Sequence, residues 1–171
     1  MPKPLAIIYG TGKLVVSINA QMPPAYFSIL FDKLNKEFQF ELDVCALPEN
    51  AKCARYFTPE QDGLTQRWGS TSCYNASFWM NPPYGREIGL WMKKAYETSG
   101  NGSRIVALVP NRSNAPWWHD YCMKAREIRF IRKKVPFDGP IKGVPFWGSC
   151  IIVFGPGVQF NPPFVSSYDQ R

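Results

Sequence analysis

The five residues Asn81–Gly85 combine groups that could bind a planar amine, since they read Asn-Pro-Pro-Tyr-Gly. Both prolines lack a backbone N–H and have a fixed φ, so nearby carbonyl groups are left free to accept hydrogen bonds. Asn81 adds a side-chain carbonyl oxygen, and Tyr84 adds a flat ring with a polar tip. These residues therefore predict a stiff, acceptor-rich turn beside an aromatic ring.

Such a turn suits one chemical task, which is to activate an exocyclic amine such as that of adenine. This amine is a poor nucleophile because its lone pair is delocalised into the ring. The Asn81 side-chain oxygen and the Pro82 carbonyl could bind its two hydrogens and favour a pyramidal nitrogen. Tyr84 could stack on the base, which has to leave a duplex to be reached. The plainer interpretation is a rigid turn in which Asn81 caps a helix.

The elements around this turn are those of an α/β sheet. The apolar run Ser77–Met80 predicts a buried strand before the turn. The segment Glu87–Thr98 has apolar residues at helical spacing and predicts a helix after it. Open α/β sheets bind their ligands at the carboxyl ends of the strands, which is where this turn would lie. Further strands are predicted at Phe40–Cys45, Arg55–Phe57, Ile105–Val109, Ile128–Ile131 and Cys150–Phe154.

Two more segments precede these strands. The aromatic and aliphatic residues from Phe27 to Phe38 recur at helical spacing after Pro23-Pro24, which predicts an amphipathic helix with proline in its first turn. The segment Leu5–Ile18 has glycines at its centre and predicts a β-hairpin. It gives no indication of function.

The composition favours a globular domain with a polyanionic partner. The chain has 171 residues, 45% hydrophobic and 19% charged, which fits one domain with a single core. The net charge of +7 favours nucleic acid. We expect no membrane partner and a cytoplasmic protein, because no apolar run of 18 residues and no signal peptide are present. Five cysteines without CxxC spacing and a single histidine argue against a metal site.

A resemblance to a known family rests on several blocks in order. The tetrapeptide NPPY in this position resembles the catalytic motif of amino-methyltransferases that use S-adenosylmethionine. The blocks LDVCALPENAKCARYFTPEQDGL, NPPYGREIGLW, APWWHDY and EIRFIR together resemble the small phage-type (Dam-like) DNA N6-adenine methyltransferases. This resemblance implies a Rossmann-like fold in a trimmed, single-domain version, with S-adenosylmethionine as cofactor and double-stranded DNA as substrate. If the chain is phage-encoded, it would act in the host cytoplasm.

The same resemblance and the positions of the residues assign roles. The expected catalytic residues are Asn81, Pro82, Pro83 and Tyr84. The expected cofactor-binding residues are Pro23, Pro24, Asp43, Ala46, Asp62 and Asn81. Those expected to bind DNA are Arg86, Arg112, Asn114, Lys133 and Lys134. Phosphate contacts position a protein without specifying a sequence, and little of the chain remains for reading bases, so we expect low sequence specificity.

Two departures from the family pattern keep other interpretations open. Met22 stands where the family usually has threonine, and no G-x-G follows Asp43. Asp43 could instead cap its strand, and Asp62 could be an ordinary turn residue. The alternatives are an RNA or protein-glutamine methyltransferase, or a DNA-binding protein on a decayed methyltransferase scaffold. The sequence indicates neither the target site nor the oligomeric state.

Three divisions of the chain are predicted: an extension over 1–22, a methyltransferase domain over 23–156 and a tail over 157–171. The tail repeats the NPP pattern at Asn161–Phe164, followed by only seven residues. We expect this second copy to lie outside the sheet and to have no catalytic role.

Overall fold

The described residues include three helices and two sheets and form a mixed α/β structure. The computed structural model describes residues 7–9, 13–15, 24–69, 75–132, 147–156 and 164–168. Its helices are α1 (Pro24–Phe38), α2 (Ile88–Ser99) and α3 (Pro116–Asp120), with a 3-10 turn at Cys122–Lys124. None of the described helices is both long and apolar enough to cross a membrane.

The larger sheet has six strands among the described residues. Its order is β3-β4-β5-β7-β6-β8, with β3 (Leu42–Asp43), β4 (Ser77–Met80), β5 (Arg104–Pro110), β6 (Glu127–Ile131), β7 (Ser149–Phe154) and β8 (Phe164–Tyr168). Strands β3, β4 and β5 are parallel. Strand β7 is antiparallel to both β5 and β6.

The order of the chain reverses beside β3. After β3 the chain forms an isolated parallel bridge from Tyr56 to Asp43 on one side, and it then returns as β4 on the other side. A reversal of this kind opens a crevice at the carboxyl ends of the two strands that flank it. The loop after Asp43 and the turn at Asn81 both leave the sheet at this crevice.

The sheet is covered by helices on its two faces. Strand residues such as Phe78, Met80 and Ala107 share a core cluster with Trp91 and Met92 of α2. The alternate strand residues Trp79, Val106 and Ile151 share a second cluster with α1 residues Leu30, Phe31 and Leu34. This division follows from the alternation of side chains along a strand. Because Asp43 pairs directly with Trp79, the Asp43 side chain lies on the α1 face.

Helix α1 runs opposite to the parallel strands. Near its end, the Phe38 ring centre is 5.7 Å from the guanidinium of Arg104, the first residue of β5. Pro24, at the helix start, is then about 21 Å away along the axis, toward the carboxyl ends of the strands. The start of α1 therefore points to the same edge of the sheet as Asn81.

Several predictions about the strands need correction. The first predicted strand, Phe40–Cys45, is only the two residues of β3, and Arg55–Phe57 contributes a single bridge at Tyr56. The expectation that the second NPP copy lies outside the sheet is wrong for Phe164, whereas residues 161–163 lie outside the described residues. Phe164–Tyr168 forms β8, which pairs in parallel with all five residues of β6. An isolated five-residue segment cannot show this pairing, because the partner lies almost 40 residues earlier.

The N-terminal segment forms a separate small sheet. Strands β1 (Ile7–Tyr9) and β2 (Lys13–Val15) pair antiparallel, the arrangement expected for the hairpin. This pairing gives no indication of a function for residues 1–22.

Candidate active site

The Asn81–Tyr84 turn begins directly after β4, between β3 and β5. Asn81 is buried, with 1% of its surface exposed, and both prolines are also buried. A main-chain bond of 3.0 Å from Val44 N–H to the Trp79 carbonyl oxygen extends the pairing of β3 and β4 up to this turn. Asn81 is therefore held by the sheet at the carboxyl end of β4, as predicted from the strand that precedes it.

Tyr84 is fixed to the neighbouring strand by its hydroxyl group. The hydroxyl donates a hydrogen bond of 3.1 Å to the carbonyl oxygen of Leu108 in β5. Burial raises the pKa of this hydroxyl, and the nearby thiols of Cys150 and Cys45 act in the same direction. The tyrosine stays neutral at physiological pH, so it can keep donating this bond. Sequence reasoning missed the tether because it joins residues 24 positions apart.

Asp43 lies at the end of β3 and is fully buried. Its Oδ1 accepts a 3.3 Å bond from the Cys45 main-chain N–H, and its Oδ2 accepts a 3.2 Å bond from the Lys52 main-chain N–H. Burial raises the Asp43 pKa from 3.8 to about 7, although these two bonds and the Lys52 charge oppose the shift. The carboxyl group thus joins both ends of the loop 45–52.

That loop is ordered by further main-chain contacts. Ala46 N–H donates to the Phe57 carbonyl oxygen at 2.9 Å, and Leu47 N–H donates to Asn50 Oδ1 at 2.8 Å. Ala46 itself is buried. These hydrogen bonds fix the main chain of the loop in one conformation, although the loop has no glycine-rich sequence.

Asp62 lies in a tight turn against the end of β3. Its φ is +51°, and its Oδ1 accepts a 3.1 Å bond from Leu64 N–H. The next residue is Gly63, where a Cβ atom would be 2.2 Å from the Val44 carbonyl oxygen. Only glycine permits this approach, so Gly63 sets the position of Asp62 near the crevice. The contacts show a turn role for Asp62, near the carboxyl end of β3.

Exposed arginines surround the same edge. Arg86, Arg112 and Arg132 follow β4, β5 and β6 respectively, and all three are exposed. These three strands are parallel to one another, so their carboxyl ends share one edge. Asn114 is also exposed there. Pro23, Lys133 and Lys134 lie outside the described residues, as does the side chain of Pro24.

A contact not predicted from the sequence involves Trp147. The Arg112 guanidinium lies over the Trp147 ring, 5.6 Å from its centre. By contrast, Trp117 and Trp118 of α3 are buried in the core, and His119 is exposed. The sequence placed Trp147 in a Gly/Pro-rich stretch, where no periodicity indicates a partner.

Two other features lie away from this chemistry. An open cavity of about 730 Å³ is lined by residues that include Gly69, Lys94 and Ser103, at the amino ends of the strands. Within the described part of the chain, no group of three His, Cys, Asp or Glu side chains could hold a metal ion. The cysteines described there are free thiols.

Comparison with known proteins agrees with the position of the turn. Residues 22–146 match the model of a family described as "DNA N-6-adenine-methyltransferase (Dam)". The chain belongs to this family. The matched segment contains α1, the loop after Asp43, the Asn81–Tyr84 turn and strands β3 to β6.

Two curated relatives of the Dam family are proteins of bacterial viruses. A DNA N-6-adenine-methyltransferase of Haemophilus phage HP1 is 34% identical over 101 residues, which are 58% of this chain and 55% of the relative. A DNA N-6-adenine-methyltransferase of Escherichia phage T1 is 30% identical over 100 residues, which are 58% of this chain and 40% of the relative. The chain therefore matches about half the length of these relatives.

Proposed function

We propose that this protein transfers a methyl group from S-adenosylmethionine to the N6 amine of adenine in DNA. The observation that carries this proposal is the position of Asn81. It is buried at the carboxyl end of β4, inside the segment that matches the Dam family, beside a tyrosine tethered to β5. A buried, sheet-anchored asparagine provides a rigid acceptor for an amine.

We infer a Rossmann-like methyltransferase fold for the domain. Support comes from the parallel strands β3, β4 and β5, the helices on both faces, and the reversal of strand order beside β3. Ligands of such sheets bind at the carboxyl ends of the strands where the order reverses.

In the proposed mechanism the protein supplies position and electrostatics. The Asn81 side-chain oxygen and the Pro82 carbonyl accept the two amine hydrogens, which turns the lone pair out of the base plane. Pro83 stiffens the turn, and the Tyr84 ring stacks on the base after it leaves the duplex. Methyl transfer would leave a positive charge on the N6 nitrogen, which would then release one proton to solvent, so no side-chain base is required before transfer.

The cofactor side of the crevice would use the loop after β3 and the start of α1. S-adenosylmethionine, when bound, supplies a methyl group made electrophilic by its sulfonium charge. The acceptors present fit such a cation, because the carboxyl groups of Asp43 and Asp62 lie at this edge. Asp43 would act through the loop that it orders, with Ala46 in that loop. Pro23 and Pro24 would contribute from the start of α1.

The substrate side would bind DNA through its phosphates. Arg86, Arg112 and Asn114 provide exposed donors around the crevice, and Lys133 and Lys134 would add positive charge after β6. We propose low sequence specificity, since one bidentate base contact contributes ~1–3 kcal/mol of discrimination and defines a single base pair.

Nucleoside mass spectrometry provides the test. Purified protein is incubated with isotopically methyl-labelled S-adenosylmethionine and unmethylated duplex DNA, and the digest should contain labelled N6-methyladenine. Asn81→Ala should abolish the signal, whereas Asn101→Ala, at the exposed turn after α2, should retain it.

Other products would separate the alternatives. N4-methylcytosine as the main product would contradict adenine specificity. Label in RNA or in a glutamine-containing peptide, but not in DNA, would favour the other methyltransferase classes. DNA binding without cofactor binding by calorimetry would favour a decayed scaffold.

A further inference from the structure

Ser149, the first residue of β7, carries a buried hydroxyl group that makes no hydrogen bond to the described residues. Only 2% of its surface is exposed, and its Oγ atom has no partner in the described part of the chain. Two other buried serines do have one. The Ser99 hydroxyl donates to the Tyr96 carbonyl oxygen at 2.7 Å, and Ser77 Oγ accepts a 3.3 Å bond from Arg104. An unsatisfied buried hydroxyl destabilises a fold, so its presence calls for a partner that the chain itself does not supply.

The Ser149 side chain lies on the same face of the sheet as Asn81. Ile151 and Val153 of β7 belong to the core cluster of α1. Side chains alternate along a strand, so Ser149, two residues before Ile151, points to the α1 face. Asn81 follows Trp79 of the same cluster by two residues, and the same alternation places it on that face.

The register of the strands gives the separation of these two residues. Ser149 pairs with Pro110 at the carboxyl end of β5. Asn81 is level with Leu108, because the parallel pairing of β4 and β5 ends one residue earlier. Two strand spacings and two residue rises therefore separate the Cα atoms of Ser149 and Asn81, which corresponds to roughly 12 Å. The loop after β3 lies on the opposite side of β4, so Ser149 is on the side of Arg112, where the proposed function places DNA.

A trapped water is a poor explanation for this hydroxyl. A buried water makes about three hydrogen bonds to polar groups. The neighbours of Ser149 on the α1 face are Ile151 and, opposite it on β6, Ile131, and Pro110 has no N–H. Asn81 is equally buried, with 1% of its surface exposed. The opening that admits a base to Asn81 therefore also serves to expose Ser149.

We propose that the Ser149 hydroxyl donates a hydrogen bond to N3 of the target adenine while Asn81 holds the N6 amine. N3 is an acceptor that lies across the six-membered ring from N6. Adenine spans about 4 Å between these nitrogens and two hydrogen bonds add about 6 Å, so the two protein oxygens have to be about 10 Å apart. A Cα separation of roughly 12 Å fits this span when both side chains lean toward the base. The identity of the ligand as adenine rests on the proposed function.

Base analogues test this contact through binding alone. The probes are dye-labelled duplexes with one unpaired base, which is adenine, 3-deazaadenine without the N3 acceptor, or 7-deazaadenine without N7, followed by fluorescence anisotropy. The wild type should bind the 3-deazaadenine duplex about fivefold more weakly than the adenine duplex, the effect of one lost hydrogen bond. Ser149→Ala should bind the adenine duplex about fivefold more weakly than the wild type, with no further loss for 3-deazaadenine. Both proteins should respond equally to 7-deazaadenine.

Thermal unfolding separates a binding role of Ser149 from a structural one. Ser149→Ala removes a hydroxyl that has no partner among the described residues, so its melting temperature should equal or exceed that of the wild type. Ser99→Ala is the matched control, because it removes a buried hydroxyl that is bonded to Tyr96. Its melting temperature should fall, whereas its preference for adenine over 3-deazaadenine should equal that of the wild type.

Three results would overturn the inference. These are a wild type without preference for adenine over 3-deazaadenine, an undiminished preference in Ser149→Ala, or a lowered melting temperature of Ser149→Ala. Binding requires no methyl transfer, so failure of the proposed function is distinguishable. A protein with a Ser149-dependent preference that yields no N6-methyladenine would refute only the proposed function.

Discussion

Replacing Asp43 by asparagine should change how the stability of the protein depends on pH. Asp43 is fully buried, and burial raises its pKa from 3.8 to about 7. The folded state therefore holds this proton more tightly than the unfolded state does between about pH 4 and pH 7. By linkage, the free energy of unfolding must fall as the pH rises through this interval, and it levels off above about pH 7.

The size of the effect follows from the shift. About three pH units at ~1.4 kcal/mol per unit correspond to about 4 kcal/mol between the two limits. The asparagine side chain would stay neutral, keep one acceptor oxygen and lose the second, at a cost of about 1 kcal/mol. We therefore expect Asp43→Asn to match the wild type near pH 5 and to be more stable by about 3 kcal/mol at pH 8.

Urea unfolding at pH 5, 6, 7 and 8 would measure this difference directly. Glu49→Gln, which alters an exposed carboxylate in the same loop, serves as the control and should change the free energy of unfolding by less than ~0.5 kcal/mol. A wild-type-to-Asp43→Asn difference that is constant from pH 5 to pH 8 would refute the reasoning. It would mean that Asp43 is ionised throughout, stabilised by the loop bonds against the cost of burial.

The same carboxyl group should also couple cofactor binding to pH. A cation bound near Asp43 lowers its pKa, so affinity for S-adenosylmethionine should rise with pH around neutrality. Calorimetric titration of the wild type should show this rise, and Asp43→Asn should bind more weakly with little pH dependence. An Asp43→Asn protein with wild-type affinity at pH 8 would limit Asp43 to a structural role.

Three further predictions concern catalysis and stability. Asn81→Ala should reduce the methylation rate by ~10²–10³-fold, because one transition-state hydrogen bond is lost. A titration should show that the variant still binds the cofactor. Near wild-type turnover would contradict the catalytic role of Asn81. Deleting residues 157–171 should lower the free energy of unfolding by ~2–4 kcal/mol, because the deletion removes the pairing of β8 with β6. Deleting only residues 169–171 should leave the free energy of unfolding unchanged. Equal stability of the two truncated proteins in urea would refute this prediction. Arg129→Met should lower the free energy of unfolding by ~2–3 kcal/mol, because the guanidinium bridges Glu37 and Glu127 at 2.5 to 2.8 Å and the side chain is only 11% exposed. Arg129→Lys should restore only part of this stability, since an ammonium cannot form the same pair of bridges. Unchanged urea midpoints would show that the ion pairs contribute nothing.

Local sequence determined the elements that carry the proposed chemistry. Helical spacing predicted α1 and α2, and apolar runs predicted β4, β5 and β7 to within about two residues. The prolines and the preceding strand located the Asn81–Tyr84 turn at the carboxyl end of β4. These features depend on backbone restrictions and side-chain periodicity, which act over a few residues and can be read from the chain directly.

The tertiary structure alone decided what surrounds that turn. It joined the Tyr84 hydroxyl to Leu108, closed the loop after β3 around a buried Asp43, and placed Trp147 under Arg112. It also paired Phe164–Tyr168 with β6, against the expectation that the second NPP copy lies outside the sheet. Each of these depends on which strands become neighbours or on how deeply a charge is buried. Both are consequences of packing between distant segments, and no local pattern of residues specifies them.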